Sequence, residues 1–316
     1  ILLLSGHSKA RETMFAEWKS KGKLNNLLFC YMVPQKPFID SKVMKFLKGK
    51  NIPVGVFYRD VYWKFDELYP LKGIKKTIMQ SIYRREEKFY EKFCDVIFLP
   101  SDAMGKYVSI PKRKVALPPG GTPMNIDVIR EKTDGPSRGL YVGGINNEDY
   151  GLFLLLDALE IANKQKMVCD LTVVCRQEEF NGLPDEKKKR LTDLNVTIKH
   201  ISGRALNELY KEMDFAFIPR YKSTYNDFSV PVKLVEYLSN ELPVVATNCE
   251  AQKDIIESDR YGLICEDKPA SMAEVISQMS QEYLEYRMNI KKTFIEKHSW
   301  LARVEMIKAS LLKEGL

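Results

Sequence analysis

The sequence predicts an α/β protein built from two doubly wound Rossmann-like domains facing a central cleft. Three observations carry this expectation. Short, near-continuous apolar runs alternate with stretches at helical spacing, as in parallel strands covered on both faces by helices. A chain of 316 residues exceeds what one hydrophobic core usually fills. Charge is also divided unevenly: through Arg138 there are 26 Lys+Arg against 14 Asp+Glu, and the remainder carries 23 against 28.

In chain order, the first half offers strands at Ile1–Leu4, Leu27–Met32, Val54–Tyr58, Val96–Leu99 and Val115–Leu117. Helical patterns occupy Ser41–Lys48 and Thr77–Phe93. The second half offers strands at Gly139–Val142, Leu171–Cys175, Val196–His200, Phe215–Ile218, Leu242–Thr247 and Leu263–Cys265. A helix pattern from Gly151 to Asn163 puts Leu152, Leu155, Leu156 and Leu159 on one face. Leu117-Pro-Pro-Gly-Gly-Thr-Pro123, followed by a charged stretch ending at Gly135-Pro136, can continue neither helix nor strand and marks the domain boundary. The domains are therefore expected at 1–123 and 124–299, with an amphipathic helix at 300–316 packing back on the first.

Composition narrows the function classes. With 45% hydrophobic and 29% charged residues the chain is globular. No apolar run approaches the roughly 20 residues that span a bilayer. Ile1–Leu4 lacks a basic lead and reads as a buried strand, not a signal peptide, and the missing initiator Met suits a trimmed terminus. The six cysteines show no C-x-x-C spacing and read as buried free thiols of a reducing cytoplasm. Three scattered histidines give no metal-ligand spacing, and no Asp-x-Asp pair is present to hold a divalent ion on a diphosphate.

In open α/β sheets ligands bind beyond the carboxyl ends of the strands, so the strand-to-helix loops are the places to look. Gly143-Gly144 ends a strand just before a helix, where backbone N–H groups can approach a phosphate, although such a pair also serves as a plain tight turn. Arg176 and Arg220 each follow a strand and could clamp a diphosphate or simply face solvent. Ser229 can cap a helix with Pro231 in its first turn, and Asn240 can take a left-handed cap conformation after it. Glu236 near the start of that helix could accept ribose hydroxyls or pair with Lys233.

Lys233-Leu-Val-Glu-Tyr-Leu238, followed by Leu242-Pro-Val-Val-Ala-Thr247, resembles the C-terminal signature of family-4-type retaining glycosyltransferases with the GT-B fold. Leu140-Tyr-Val-Gly-Gly144, Asp214-Phe-Ala-Phe-Ile-Pro219, Tyr261-Gly-Leu263 and His298-Ser-Trp300 fall in matching order. The first half agrees more loosely, through Cys94–Ser101 and Leu117–Gly121. This resemblance implies an acceptor-binding N-terminal domain, a donor-binding C-terminal domain and no obligatory metal or cofactor. It implies a donor site drawn from Gly143, Gly144, Arg176, Arg220, Asp227, Phe228, Ser229, Val230, Lys233 and Glu236, with Glu236 on the ribose. The chain departs from the family where an earlier glutamate is often found, at Phe228, and where an Arg/Lys diphosphate pair is usual, at Gly144 and Tyr150.

In the first half, Ser5-Gly-His-Ser8 and Phe57-Tyr-Arg-Asp-Val-Tyr-Trp63 follow strands. Asp60 is a candidate base or acceptor-orienting group, Arg59 a candidate for stabilising negative charge, and His7 a third catalytic candidate. Arg59 and Asp60 could equally pair to fix their loop, and His7 could be structural. Ser5, Gly6, Tyr58 and Trp63 are the acceptor-binding candidates. Lys72–Arg85 interleaves basic residues with Ile74, Ile78, Met79 and Ile82, fitting either an anionic membrane surface or a core-packed helix with a solvated back. The expectation is a cytoplasmic, peripherally membrane-associated enzyme moving a sugar from a UDP-, GDP- or similar donor to a glycan or lipid-linked acceptor, and the resemblance alone implies cell-surface polysaccharide synthesis as its setting. A catalytically silent protein of the same fold, binding a glycan or partner, is the alternative, and nucleic-acid binding ranks last.

Overall fold

The computed structural model describes residues 1–124 and 134–312. Most of the charged stretch between Pro123 and Gly135 lies outside the described residues. The chain divides into two compact units, Ile1–Pro118 with Val304–Leu316, and Pro119–Arg303.

The first unit holds helices α1 (Ser8–Ser20), α2 (Ser41–Gly49), α3 (Gly73–Phe93) and α4 (Asp102–Gly105). Its strands are β1 (Cys30–Met32), β2 (Val54–Phe57), β3 (Val96–Leu99) and β4 (Arg113–Ala116), paired in chain order into a parallel sheet. Val54, Val56, Val96, Ile97 and Phe98 are almost wholly buried, which is why these runs are apolar with little alternation.

The expected strand at Ile1–Leu4 does not form. Its apolar side chains reach solvent, and the chain turns at Gly6, whose φ of 91° favours glycine, directly into α1. The Leu4 carbonyl accepts from Arg11 Nη1 at 2.8 Å instead of entering a ladder. That arginine is fixed by the buried Asp40, which receives its Nε at 2.9 Å and its Nη2 at 2.5 Å.

The second unit continues with β5 (Ser137–Val142), β6 (Cys169–Val174), β7 (Thr197–Lys199), β8 (Phe215–Ile218), β9 (Val244–Thr247) and β10 (Gly262–Cys265). Between them lie α5 (Leu152–Ala162), α6 (Gln177–Asn181), α7 (Asp185–Asp193), α8 (Gly203–Glu212), α9 (Thr224–Phe228), α10 (Val232–Ser239) and α11 (Glu250–Ser258), followed by α12 (Pro269–His298) and α13 (Trp300–Leu312). Alternate residues serve alternate faces of the parallel sheet. Tyr141, Val173, Phe215 and Phe217 pack with α5 and α12 on one side, whereas Leu140, Val142, Ala216 and Ile218 pack with α8 and α10 on the other. The end of the chain belongs with the first unit, where Ile307 and Leu311 of α13 pack against Val96, Phe98 and Leu117.

The strand order of the second sheet is β10-β9-β8-β5-β6-β7, so the winding reverses at β5. β5 pairs with β6 along its whole length but with β8 only at Gly139↔Phe215 and Leu140↔Ala216. The two strands then part. This is the topological switch point at which open α/β sheets bind ligands beyond the carboxyl ends of their strands.

Candidate functional site

Beyond the parting of β5 and β8, the Val142 N–H donates to the Tyr237 hydroxyl at 2.8 Å. Tyr237, wholly buried on α10, thereby completes a strand end that has lost its ladder partner. Gly143 and Gly144 follow. The Tyr141 hydroxyl donates to the Gly144 carbonyl at 2.6 Å, and the Ile145 N–H donates to Glu179 Oε2 at 2.9 Å. At Gly151, with a φ of 74°, a Cβ would lie 1.7 Å from the Pro219 carbonyl oxygen, so only glycine lets the β5 loop pass the β8 loop. At Gly144 a Cβ would meet the Tyr150 ring at 2.6 Å. The two family departures are therefore in contact, Tyr150 lying where a side chain on residue 144 would go.

A pocket of about 790 Å³ opens at the carboxyl edge of β5, β6 and β7. Gly143, Gly144, Tyr150, Arg176, Glu179 and Lys233 line it, with Cys175, His200 and Ile201 from the neighbouring strand ends. Burial pushes the Cys175 thiol up to about 11, so the thiol stays protonated. Lys233 Nζ pairs with Glu236 Oε2, as the spacing allowed, and the Tyr210 hydroxyl donates to the same oxygen at 3.3 Å. Burial and the neighbouring Glu236 charge raise the Tyr210 pKa, keeping that hydroxyl a donor. The structure thus gathers Gly143, Gly144, Arg176 and Lys233 around one pocket, with Glu236 held against Lys233.

It does not bring the remaining donor candidates there in an open form. Arg220 is turned into the protein, 9% exposed. Its Nε and Nη2 donate to Gln252 Oε1 at 3.2 and 3.0 Å, its Nη1 donates to Ser229 Oγ at 2.9 Å and Asn226 Oδ1 at 3.2 Å, and Nη2 reaches the Ser229 and Asn226 carbonyls. This corrects the expectation of a diphosphate clamp: the guanidinium is spent on holding the loop after β8. Desolvation accordingly lowers its pKa. Phe228 is buried, edge-on to Tyr225, and Val230 packs against the core beneath α10. Asp227 Oδ1 accepts the Glu250 N–H at 3.2 Å. Ser229 does not cap α10, because its hydroxyl serves Arg220 and Pro231 takes the cap position; nor is Asn240 left-handed, that conformation falling to Glu241 at a φ of 55°.

In the first unit, Tyr58, Arg59, Asp60 and Trp63 line a small pocket of about 90 Å³ together with Tyr83 and Glu86. Arg59 Nε stands 3.5 Å from Asp60 Oδ2, a loose pair in which the arginine is largely exposed. Tyr58 and Trp63 are buried: the indole N–H donates to the Tyr58 hydroxyl at 3.0 Å, which donates in turn to Glu87 at 3.3 Å. Sequence reasoning passed over Glu86. Its buried carboxylate accepts from the Tyr90 hydroxyl at 2.6 Å and the Phe38 N–H at 3.1 Å, and burial, partly offset by those bonds, raises its pKa. Ser5 and Gly6 lie at the exposed turn before α1, and His7 occupies the N-cap position of that helix without a capping side-chain bond. They do not line the pocket of Tyr58 and Asp60.

Among the described residues no group of three or more His, Cys, Asp or Glu side chains converges as metal ligands would. No helix among them is long and apolar enough to cross a membrane.

Parallel Rossmann-like sheets with a switch-point pocket define the class, and solved structures share the fold. HepE from Anabaena, solved in complex with UDP, superposes with a TM-score of 0.66 at 12% identity, covering 98% of this chain and 85% of that one. A UDP-forming α,α-trehalose-phosphate synthase from Burkholderia xenovorans gives 0.58 at 12% identity, covering 98% and 81%. Sucrose-phosphate synthase from Thermosynechococcus elongatus gives 0.54 at 15% identity, covering 94% and 76%. These neighbours are glycosyltransferases of the GT-B fold. Residues 136–282, which contain the switch point, its pocket and α10, match the family described as glycosyl transferases group 1. Lys233–Thr247, from which the resemblance was read, lies inside the matched residues. No curated protein matches the chain in sequence.

Proposed function

We propose that this protein is a glycosyltransferase that takes a sugar from a nucleoside-diphosphate sugar, with the nucleotide seated in the pocket at the carboxyl edge of β5–β7. The observation that carries the reading is the position of this pocket. It sits at a switch point, is floored by Gly143-Gly144, carries Lys233 and Arg176 on its wall, and lies within the segment that matches the family. Lys233 and Arg176 would offset charge developing on the departing diphosphate, a role that cations and oriented N–H groups can fill without a metal. Glu236, fixed by Lys233 and Tyr210, offers its carboxylate to the ribose hydroxyls.

The reaction is retaining and metal-independent in this reading, and the acceptor is a glycan or lipid-linked sugar of cell-surface polysaccharide synthesis. Asp60 and Arg59, beside the aromatic wall of the first-unit pocket, are the groups that would orient an acceptor hydroxyl. Helix α3 supports a peripheral place on the cytoplasmic face of an anionic membrane: Ile74 and Ile78 stand exposed at 80% and 54% among Lys72, Lys75, Arg84 and Arg85. A core-packed first half of that helix would not expose both isoleucines.

A thermal-shift series with UDP, GDP, CDP and dTDP tests the reading. A ligand at 100 times its dissociation constant stabilises by about 2.7 kcal/mol. One nucleotide should raise the midpoint, and its sugar conjugate should be consumed in the presence of acceptor and excess EDTA. Binding without turnover would favour the second reading, a catalytically silent relative that binds a glycan or partner. The inward turn of Arg220 and the tyrosine at position 150 favour that alternative.

A further inference from the structure

Glu179 has no counterpart among the donor residues expected from the sequence, yet it lines the pocket. Its side chain is only 13% exposed. Oε2 accepts the Ile145 N–H at 2.9 Å, and a Cβ on Gly144 would lie 3.4 Å from the same oxygen, so the carboxylate rests directly against the glycine turn. Oε1 lies 3.7 Å from Arg176 Nη1. Each cation lining the pocket next to the turn or α10 therefore faces a carboxylate of the chain, Arg176 with Glu179 and Lys233 with Glu236.

A glycine turn at a strand end offers backbone N–H groups to an anion. Here the Ile145 N–H already has one. We propose that Glu179 sets the charge this pocket accepts, by holding the N–H that an oxygen of a bound diphosphate would otherwise take. The inference rests on the nucleotide reading above and deepens it. A diphosphate entering the pocket meets a like charge at the turn, and the carboxylate has a second partner within reach in Arg176, three residues earlier at the N-cap of α6. Rotation of Glu179 from the backbone to the guanidinium clears the turn. The affinity of the site for a nucleoside diphosphate is thereby held below what its shape allows, while a nucleoside without phosphates is indifferent to Glu179.

The test is calorimetric titration of the whole chain, and of Glu179→Gln and Glu179→Ala, with UDP, GDP, uridine and guanosine. Glu179→Gln keeps an acceptor for the Ile145 N–H and removes only the charge, so it guards against collapse of the turn. Removing a like charge near a diphosphate should tighten binding of the preferred nucleoside diphosphate about tenfold in Glu179→Gln. Binding of the matching nucleoside should stay unchanged. If the wild type binds a nucleoside diphosphate and both variants bind it equally or more weakly, the charge-setting role is overturned and the nucleotide reading stands. A gain shared by nucleoside and diphosphate also overturns it, since that would mean a reshaped pocket. If wild type and variants bind no nucleotide at all, both fall together.

Discussion

Tyr237 and Val142 join the helix that carries the family signature to the strand that ends at the glycine turn. The hydrogen bond is 2.8 Å long and wholly buried, and it takes the place of a rung that β8 no longer supplies once the strands part. One hydroxyl thus holds the switch point open and ties α10, with Lys233 and Glu236, to the position of Gly143. Removing it in Tyr237→Phe leaves a buried N–H without its partner, which costs about 1–3 kcal/mol. Urea unfolding should show a lower midpoint with an unchanged slope, and nucleotide affinity should fall with it. A Phe variant as stable as the wild type would contradict the assignment.

Arg220 and Glu236 were expected to serve the same ligand, and the structure separates them into different kinds of residue. Arg220→Ala strips the acceptors of Gln252, Asn226 and Ser229 of a shared buried donor, so the loop between β8 and α10 should loosen. The expected loss is about 3 kcal/mol or more, within the range for breaking a buried hydrogen-bond network. Chemical denaturation decides this. If Arg220→Ala unfolds at the wild-type midpoint while losing nucleotide, the guanidinium is a ligand contact after all.

Glu236→Ala should do the opposite. Its pairing with Lys233 is about two-fifths exposed, and pairs of that kind contribute about 0–1 kcal/mol. Stability should therefore hardly move. Nucleotide binding should weaken by about tenfold or more if, as proposed above, the ribose hydroxyls donate a bidentate pair of hydrogen bonds to this charged acceptor. Comparing nucleotides with the free diphosphate sharpens the reading, since pyrophosphate has no ribose and its affinity should not fall.

Much of both sheets was legible in the sequence, and the reason is burial on both faces. Phe215–Ile218 and Val96–Leu99 are strands at the expected bounds because every residue in them is enclosed, leaving an unbroken apolar run. Ile1–Leu4 has the same composition, but composition cannot say whether a neighbouring strand is available to pair with it. The helix signature of α10 could be read from Leu234 and Leu238, while the function of Tyr237 between them could not, beyond the general fact that a core tyrosine needs a partner for its hydroxyl. Glu179 was invisible because its contact runs from α6, after β6, to the loop after β5, set by the fold and by no local spacing. Arg220 misled for a related reason: an arginine after a strand looks the same in sequence whether it points to a ligand or into Gln252 and Ser229.

The joint between α12 and α13 should make stability depend on pH. His298, 8% exposed, has its Nε2 2.7 Å from Asp259 Oδ2 and accepts from Arg303 Nη2 at Nδ1 at 2.8 Å, while Lys297 also pairs with Asp259 and the rings of Tyr261 and Phe294 pack on the imidazole. Burial is the main cause of a histidine pKa below the ordinary 6.5, with the Arg303 and Lys297 charges adding to it and the Asp259 bond opposing. At Asp259 burial works upward, but the bonds from Lys297 and His298 outweigh it and hold the carboxyl below its ordinary 3.8. A histidine whose folded pKa is lowered binds its proton more weakly when folded, so its contribution is complete above 6.5 and is lost as pH falls below that value. The aspartate contribution is complete above 3.8 and is lost only on further acidification through its lower folded pKa. Between about pH 7.5 and 5 the histidine is therefore the member of this pair that moves stability, at about 1.4 kcal/mol for each unit by which its folded and unfolded pKa values differ. Urea midpoints of the wild type should fall across that window, and His298→Gln should flatten the fall while leaving the steeper loss below pH 3.8 in place. A variant with the same slope as the wild type between those limits would move the titration to another group.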